Sequence, residues 1–463
     1  MMLEIAFRPL QLSDKQAVDT LLRGSTAPMC DHTFTNLYAW QQLYHTSWAE
    51  VCGQLVVRFT LPESGENGYM ICDGGCVERV FDSLKSHTQS VGERLRLVCA
   101  DAATVERFKA WAAESYSDEE ARGEECFAFC NNPDYRDYIY SVEELATLAG
   151  SKFKPKRNHV NRFESLYKWS VVPLTEEDFK ACLQLECRWQ RRKADDAGEV
   201  GDFDCRESDE QQAIRRTLDA YKELGIEGLV LLVDGNVAAF TYGSKINDEI
   251  FCTHTEKADS AYEGVFPMIN RLFARYLLER GYRYVNREED MGLAGLRRAK
   301  QSYNPVRQQE RMGVVSLTQR ERECRDLWQR TFGDSREFVD MFFTDVYRSE
   351  NLFCRKEQGR VVSMAYVVEL QTDYGPTGYL YAVATDADFR MRGLSSSVVE
   401  EALAEMRRRG YCAAMLIPSQ SSLKHFYARF GFVDADYALD FSDGFDFGTG
   451  NPAFDRAMVL ELK

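Results

Sequence analysis

Arg390, Arg392, Gly393, Ser395 and Ser396 crowd into one short stretch, directly ahead of Val398, Val399, Ala402, Leu403 and Met406, which fall at helical spacing. The free amides of a first helical turn, the positive end of the helix dipole and two guanidinium groups then converge on one small volume. That combination suits a pyrophosphate. Gly393 lets the backbone approach the anion, and Ser395 and Ser396 are small enough to leave it room. Without a ligand, the same residues make an exposed, charged strand-to-helix turn.

Two elements must position this turn. Tyr379 to Thr385 alternates and is rich in aromatic and β-branched residues, which predicts a strand ended by the Asp386–Asp388 cluster. The periodic residues after Gly393 predict an amphipathic helix. Further on, HFYARFGF at 425–432 predicts a short helix carrying Tyr427, four residues before Gly431. Taken alone, Tyr427 reads as a core tyrosine on an amphipathic helix.

The pattern R-x-x-G-x-S resembles the acetyl-CoA pyrophosphate loop of the GNAT acetyltransferases, Q/R-x-x-G-x-G/A, with Ser395 where Gly or Ala is commoner. HFYARFGF is similar to the second landmark of that family, in the right order. The resemblance covers residues 317–463, and what it implies is specific. Arg390, Met391, Arg392, Gly393, Leu394, Ser395 and Ser396 would hold the pyrophosphate of acetyl-CoA as cosubstrate. The backbone around Val383 and Thr385 would pair with the pantetheine arm. Tyr427 would protonate the departing CoA sulfur after direct attack by an amine. Glu369 and His425 are the candidates for a general base, each with a bland alternative as an edge carboxylate or a surface residue, and the base stays open.

At 463 residues the chain suits about three units of roughly 150 residues. A net charge of −16, from 57 basic against 73 acidic residues, disfavours nonspecific grip on nucleic acid or anionic lipid. The 14 cysteines lie without C-x-x-C pairs, and six histidines offer few zinc ligands, so no metal is expected and the thiols read as reduced. No run of about 18 apolar residues and no signal-like N-terminus appears, which points to a cytoplasmic location without membrane contact.

Strands and helices alternate throughout, which predicts an α/β (α+β) class with mixed sheets flanked by helices. Asp234 and Gly235 between two apolar runs predict a hairpin. Asp31, His32 and Trp40 tempt an active-site reading, but aromatic stripes at helical spacing are usually core, and they read as core here. An internal repeat emerges: EGVFPMINRLFARYLLERGY from Glu263 aligns without gaps on RGLSSSVVEEALAEMRRRGY from Arg392. Opposite Arg390 stands Ala261, and Pro267 and Met268 replace Ser396 and Ser397, so the second phosphate loop reads as degraded.

The tract YRYVNREEDMGLAGLRRAKQSYNPVRQQERMGVVSL, with KRNHVNRF and CTHTEKADSAYEGVF upstream, resembles a bacterial family grouped with the C-terminal catalytic domain of phosphatidylglycerol lysyltransferases, over residues 1–316. That family is similar to two packed GNAT-like lobes. The expected organisation is therefore lobe 1 over 1–148, lobe 2 over 149–316 and a GNAT domain over 317–463, in a tandem of acyltransferase folds.

Three functions compete. The first is an acetyl-CoA-dependent N-acetyltransferase acting on a small-molecule or peptide amine. The second is an aminoacyl or acyl transferase centred on residues 1–316, with Lys152, Lys154, Lys156, Arg157 and Arg162 meeting an anionic donor such as charged tRNA. The third is a non-enzymatic ligand-binding module.

Overall fold

A computed structural model describes residues 4–25, 27–62, 64–72, 75–116, 123–196, 208–439, 445, 447 and 456–462. It divides the chain into two compact units, residues 1–111 with 132–313, and residues 112–131 with 314–463. Both are α/β, built on mixed sheets flanked by helices as the alternating pattern predicts.

In the larger unit, Ser47–Val51, Gln54–Thr60 and Asn67–Ile71 form an antiparallel meander, and Arg96–Ala100 adds in parallel beside Asn67–Ile71. A second sheet runs in the order Arg307–Gln309, Asp137–Ser141, Tyr284–Asn286, Ile250–Ala258, Asn236–Lys245, Glu227–Val233, Trp169–Pro173. Asp137–Ser141, which precedes the expected boundary at 148, thus belongs to this sheet, antiparallel to Tyr284–Asn286. The hairpin at Asp234 and Gly235 forms with both residues at positive φ, 49° and 79°, while Val233 pairs with Asn236. Such a two-residue turn needs left-handed backbone at both positions, which Asp tolerates and Gly favours. The helices Lys154–Leu166 and Val265–Glu279 cover one face, burying Val160, Phe163, Met268, Ile269 and Phe273 among Tyr138, Leu231 and Phe251.

In the smaller unit six strands run in the order Leu352–Glu357, Arg360–Thr372, Gly375–Thr385, Ala413–Leu416, Arg456–Glu461, Val433–Ala438. The helices Gln319–Phe332 and Arg336–Met341 cover one face, with Leu327, Trp328 and Val339 packed on Met364, Tyr366 and Tyr379. The Leu394–Arg408 helix covers the other, setting Val398, Ala402 and Met406 on Val367, Leu380 and Ala414. Alternation along the strands sends neighbours to opposite cores, so the sheet is apolar on both faces. Gly333 at φ 77° ends the first helix, and the Ser335 hydroxyl accepts the Phe338 amide to start the next, as their positions predict.

Among the described residues no helix is long and apolar enough to cross a membrane, and the cysteines are free thiols.

Candidate active site

The predicted strand, turn and helix are present as Gly375–Thr385, a tight turn at Ala387–Phe389 and Leu394–Arg408. Two irregularities open the strand. Met364 pairs with Ala384 and Tyr366 with Tyr381, so Ala382 and Val383 together oppose Ala365 in a bulge, with Ala382 at φ 49°. On the other edge, parallel pairing to Ala413–Leu416 stops at Tyr379 opposite Met415. Val383 and Thr385 lie beyond that last pair, and among the described residues no strand is paired with them on that side, which leaves backbone that an extended ligand could meet.

Gly393, at φ 80°, starts the helix with no side chain capping its amides. A Cβ built there would meet nothing within 4 Å. Arg390 is exposed, its Nε 3.4 Å from the Thr385 carbonyl, and it has no carboxylate partner among the described residues. Arg392 is more committed: it pairs with Glu357 at 2.9 Å and lies over the Phe389 ring. Met391 is fully exposed at φ 61°, while Leu394 and Ser396 are half-buried.

Ser395, the departure from Gly or Ala, does not project into the turn. Its hydroxyl lies 2.6 Å from the Thr385 hydroxyl, which in turn lies 2.8 Å from that of buried Ser363. Arg355, which no sequence pattern singled out, fastens the same helical turn by donating to the Ser397 hydroxyl at 2.8 Å and carbonyl at 3.1 Å.

Tyr427 is buried in the apolar cluster beneath this helix, against which Val383 also packs. Burial pushes its phenol up to about 12, and the hydroxyl makes no hydrogen bond among the described residues. A neutral phenol with an unused O–H suits proton donation. Of the two base candidates, His425 is exposed and Glu369 pairs with Arg409 at 3.5 Å, as an edge carboxylate would.

The repeat in the larger unit has the same construction. His254 is the extra residue where Tyr242 pairs with Thr255 and Gly243 with Thr253, and parallel pairing to Tyr284–Asn286 stops at Cys252. Gly264, at φ 83°, starts the Val265–Glu279 helix. Here the turn is closed: a Cβ at 264 would drive into the His159 carbonyl, and the Glu263 amide donates to the Tyr167 hydroxyl at 3.1 Å. Both partners belong to the Lys154–Leu166 helix and its end.

That helix and the residues just before it carry the basic stretch. Lys152 pairs with Glu144 at 2.9 Å, Arg162 with Glu263 at 3.4 Å, and Arg157 donates to the carbonyls of Leu148 and Gly150. Lys156 sits 3.8 Å over the Tyr303 ring, and burial followed by the nearby Arg287 charge lowers it to about 8. Lys154 is exposed.

Where the smaller unit leaves its bulge open, the larger fills it with polar side chains. The Ser244 hydroxyl lies 2.8 Å from His254 Nε2, and His254 Nδ1 lies 3.0 Å from Glu288. Nearby, fully buried Asp137 accepts from the Cys30 amide and from Asn286 Nδ2, each at 2.7 Å. Arg311 meets Asp31 at 2.7 Å, Glu289 at 3.1 Å and Asp137 at 3.8 Å. Burial pushes Asp137 up to about 7 and raises Glu288, with Arg311 and His254 respectively opposing the shift. Two groups, Cys252 with His254 and Glu288, and Cys30 with Asp137 and Glu289, each place possible metal-ligand atoms within 4.8 Å of one another. Asp31 therefore belongs to an ion network, while His32 is buried as expected. The sequence offered one signal here, the three consecutive acids Glu288, Glu289 and Asp290, separated from a strand only by Arg287.

A family model described as phosphatidylglycerol lysyltransferase, C-terminal, matches residues 24–314, and one described as acetyltransferase (GNAT) domain matches residues 317–434. Among solved structures, a conserved protein of unknown function from Bacteroides thetaiotaomicron is 33% identical with a TM-score of 0.60, over 68% of this chain and 100% of that one. The structure of L-PGS from Bacillus licheniformis is 14% identical with a TM-score of 0.45, over 67% and 93%. The ribosomal-protein-S18-alanine N-acetyltransferase from Escherichia coli is 17% identical with a TM-score of 0.23, over 31% and 88%. No curated protein matches. The open turn at Gly393 and the paired sheets of the larger unit thus lie in two matched acyltransferase regions: the chain belongs to the phosphatidylglycerol lysyltransferase C-terminal family, carries a GNAT domain after that region, and is an enzyme that transfers acyl groups.

Proposed function

We propose that residues 317–463 bind acetyl-CoA at the Gly393 turn and transfer its acetyl group directly to a small-molecule or peptide amine, in the cytoplasm. The observation that carries this reading is, among the described residues, the uncapped start of the Leu394–Arg408 helix, with nothing within 4 Å of a Cβ at Gly393, beside an exposed Arg390 that has no carboxylate partner. Helix-start amides and a guanidinium without a carboxylate partner suit a pyrophosphate, to which Arg392 adds charge from its pair with Glu357. Thr385 and Val383, past the last pair with Ala413–Leu416, would hold the pantetheine amides. An amide freed by the Ala382 bulge would polarise the thioester carbonyl. Tyr427 would protonate the thiolate as the amine takes the acetyl group.

Isothermal titration tests the reading. Acetyl-CoA should bind the natural chain and lose at least roughly 100-fold in affinity in both Arg390→Glu and Gly393→Glu, since each puts a carboxylate where the diphosphate sits. Undiminished binding in both variants would sink it.

A second reading, aminoacyl or acyl transfer in residues 1–316, is favoured by the Asp31, Asp137, Glu289 and Arg311 network, whose excess of carboxylates suits an incoming ammonium group. A charged tRNA would then approach the basic stretch, of which Lys154 stays exposed. Filter binding at low salt decides it: no retention of tRNA at about 50 mM salt removes the tRNA donor.

A further inference from the structure

We propose that Ser244, His254 and Glu288 form a hydroxyl–imidazole–carboxylate relay, and that Ser244 is a nucleophile accepting an acyl group from an ester or thioester. The relay lies in the larger unit and uses none of the residues assigned to acetyl-CoA.

The geometry is that of an activated serine. The Ser244 Oγ lies 2.8 Å from His254 Nε2, and His254 Nδ1 lies 3.0 Å from Glu288 Oε1. Only one tautomer satisfies both contacts with Glu288 ionised: Nδ1 carries the proton and donates to the carboxylate, so Nε2 accepts from the hydroxyl. This is the order of roles that a nucleophile, its base and the orienting acid require, and such a set is recognised by geometry, not by sequence order. Backbone irregularities build it. His254 is the bulged residue of its strand, Glu288 stands at φ 58° just past Tyr284–Asn286, and parallel pairing between those two strands stops at Cys252. The polar set therefore sits where the sheet splays, with Glu288 half-buried and Ser244 buried.

Ser244 is a better nucleophile here than its neighbour Cys252. The Cys252 sulfur faces the Glu288 carboxylate at 3.9 Å, whereas Ser244 faces an imidazole that can take its proton during attack. In the first half-reaction the Ser244 oxygen bonds to the acyl carbon as its proton passes to Nε2. The acyl–oxygen or acyl–sulfur bond breaks, and the leaving group takes that proton from Nε2. In the second, an amine attacks the seryl ester and gives its proton to Nε2, the seryl C–O bond breaks, and Ser244 recovers its hydrogen.

The test uses the full chain and a fluorophosphonate probe, read by intact mass and peptide mapping. One adduct on Ser244 is expected, absent in Ser244→Ala and slowed at least 100-fold in His254→Gln. In Ser244→Cys, iodoacetamide should alkylate position 244 faster than the other thiols, a gain that a merely structural hydroxyl would not give. Incubation with p-nitrophenyl acetate and, separately, with acetyl-CoA should leave an acetyl group on Ser244 from at least one, which identifies the donor as ester or thioester. No adduct on Ser244, a rate unchanged in His254→Gln, acetylation by neither donor, or labelling that a chelator abolishes would each overturn the proposal. Failure of acetyl-CoA to bind at Gly393 leaves these readouts unaffected, so the two proposals fail separately.

Discussion

Residues 250–279 and 375–408 are two versions of one device: a strand bulged against its antiparallel neighbour, a parallel pairing that stops early, and a glycine at positive φ opening a helix. They differ in what stands in front of the glycine and what fills the bulge. At Gly393 the space is open and the bulge backbone is lined by Val383 and Thr385, which suits an extended, phosphorylated ligand. At Gly264 the His159 carbonyl and Tyr167 hydroxyl occupy the approach, and the bulge presents His254. A similar strand, turn and helix thus becomes an anion site or a packed joint according to whether another helix satisfies its amides first.

The largest effect expected on the open side is catalytic. Tyr427→Phe should lower the acetylation rate roughly 100-fold with acetyl-CoA affinity unchanged, because the phenol acts on the leaving thiolate alone. A parallel loss of affinity would make Tyr427 a packing residue of the cluster it lies in.

The two glycines should respond unequally to one methyl group. Gly264→Ala should cost about 3 kcal/mol, from positive φ together with collision against the His159 carbonyl, and Gly393→Ala about 1 kcal/mol, from φ alone. Denaturant midpoints of the two variants measure this, and equal losses would mean that the closed turn yields easily.

A smaller effect separates the two sheets by pH. Burial pushes the Asp137 carboxyl up to about 7, so the folded chain holds a proton there that the unfolded chain releases near pH ~4. The stability contributed by that proton is complete below pH ~4 and lost as pH rises through about 7. Urea midpoints should fall between about pH 5 and about pH 8, and the fall should shrink in Asp137→Asn. Equal slopes in the two proteins would assign the pH dependence to other groups.

The smallest expected effect is none at all. Ala261→Arg combined with Phe266→Ser and Pro267→Ser restores the side chains of an anion turn to the repeat, yet acetyl-CoA should not bind there, because His159 and Tyr167 still close the approach. Calorimetric heat above background with Arg390→Glu also in place would show that the closing helix moves aside.

Much of the fold was legible because it rests on short-range rules. The Asp234–Gly235 hairpin, the caps at Gly333 and Ser335, and the Gly393 helix start are fixed by neighbouring residues and their allowed dihedrals. The anion turn was readable for the same reason, as was the loss of Arg390's counterpart at Ala261. The tie between Ser395 and Thr385 was not, although the two lie 10 residues apart, because it depends on how the helix start folds back over the strand end.

The amino-acid sequence by itself determined that this chain repeats a strand, turn and helix, and that the C-terminal copy keeps the charges an anion needs, since periodicity, turn chemistry and charge are local properties. Only the tertiary structure decided which turn is open and what stands in each bulge. Glu263 meets Tyr167 across 96 residues, and His254 meets Glu288 across 34. Such meetings depend on strand register and on which helix buries its apolar face against the sheet, which no window of sequence contains.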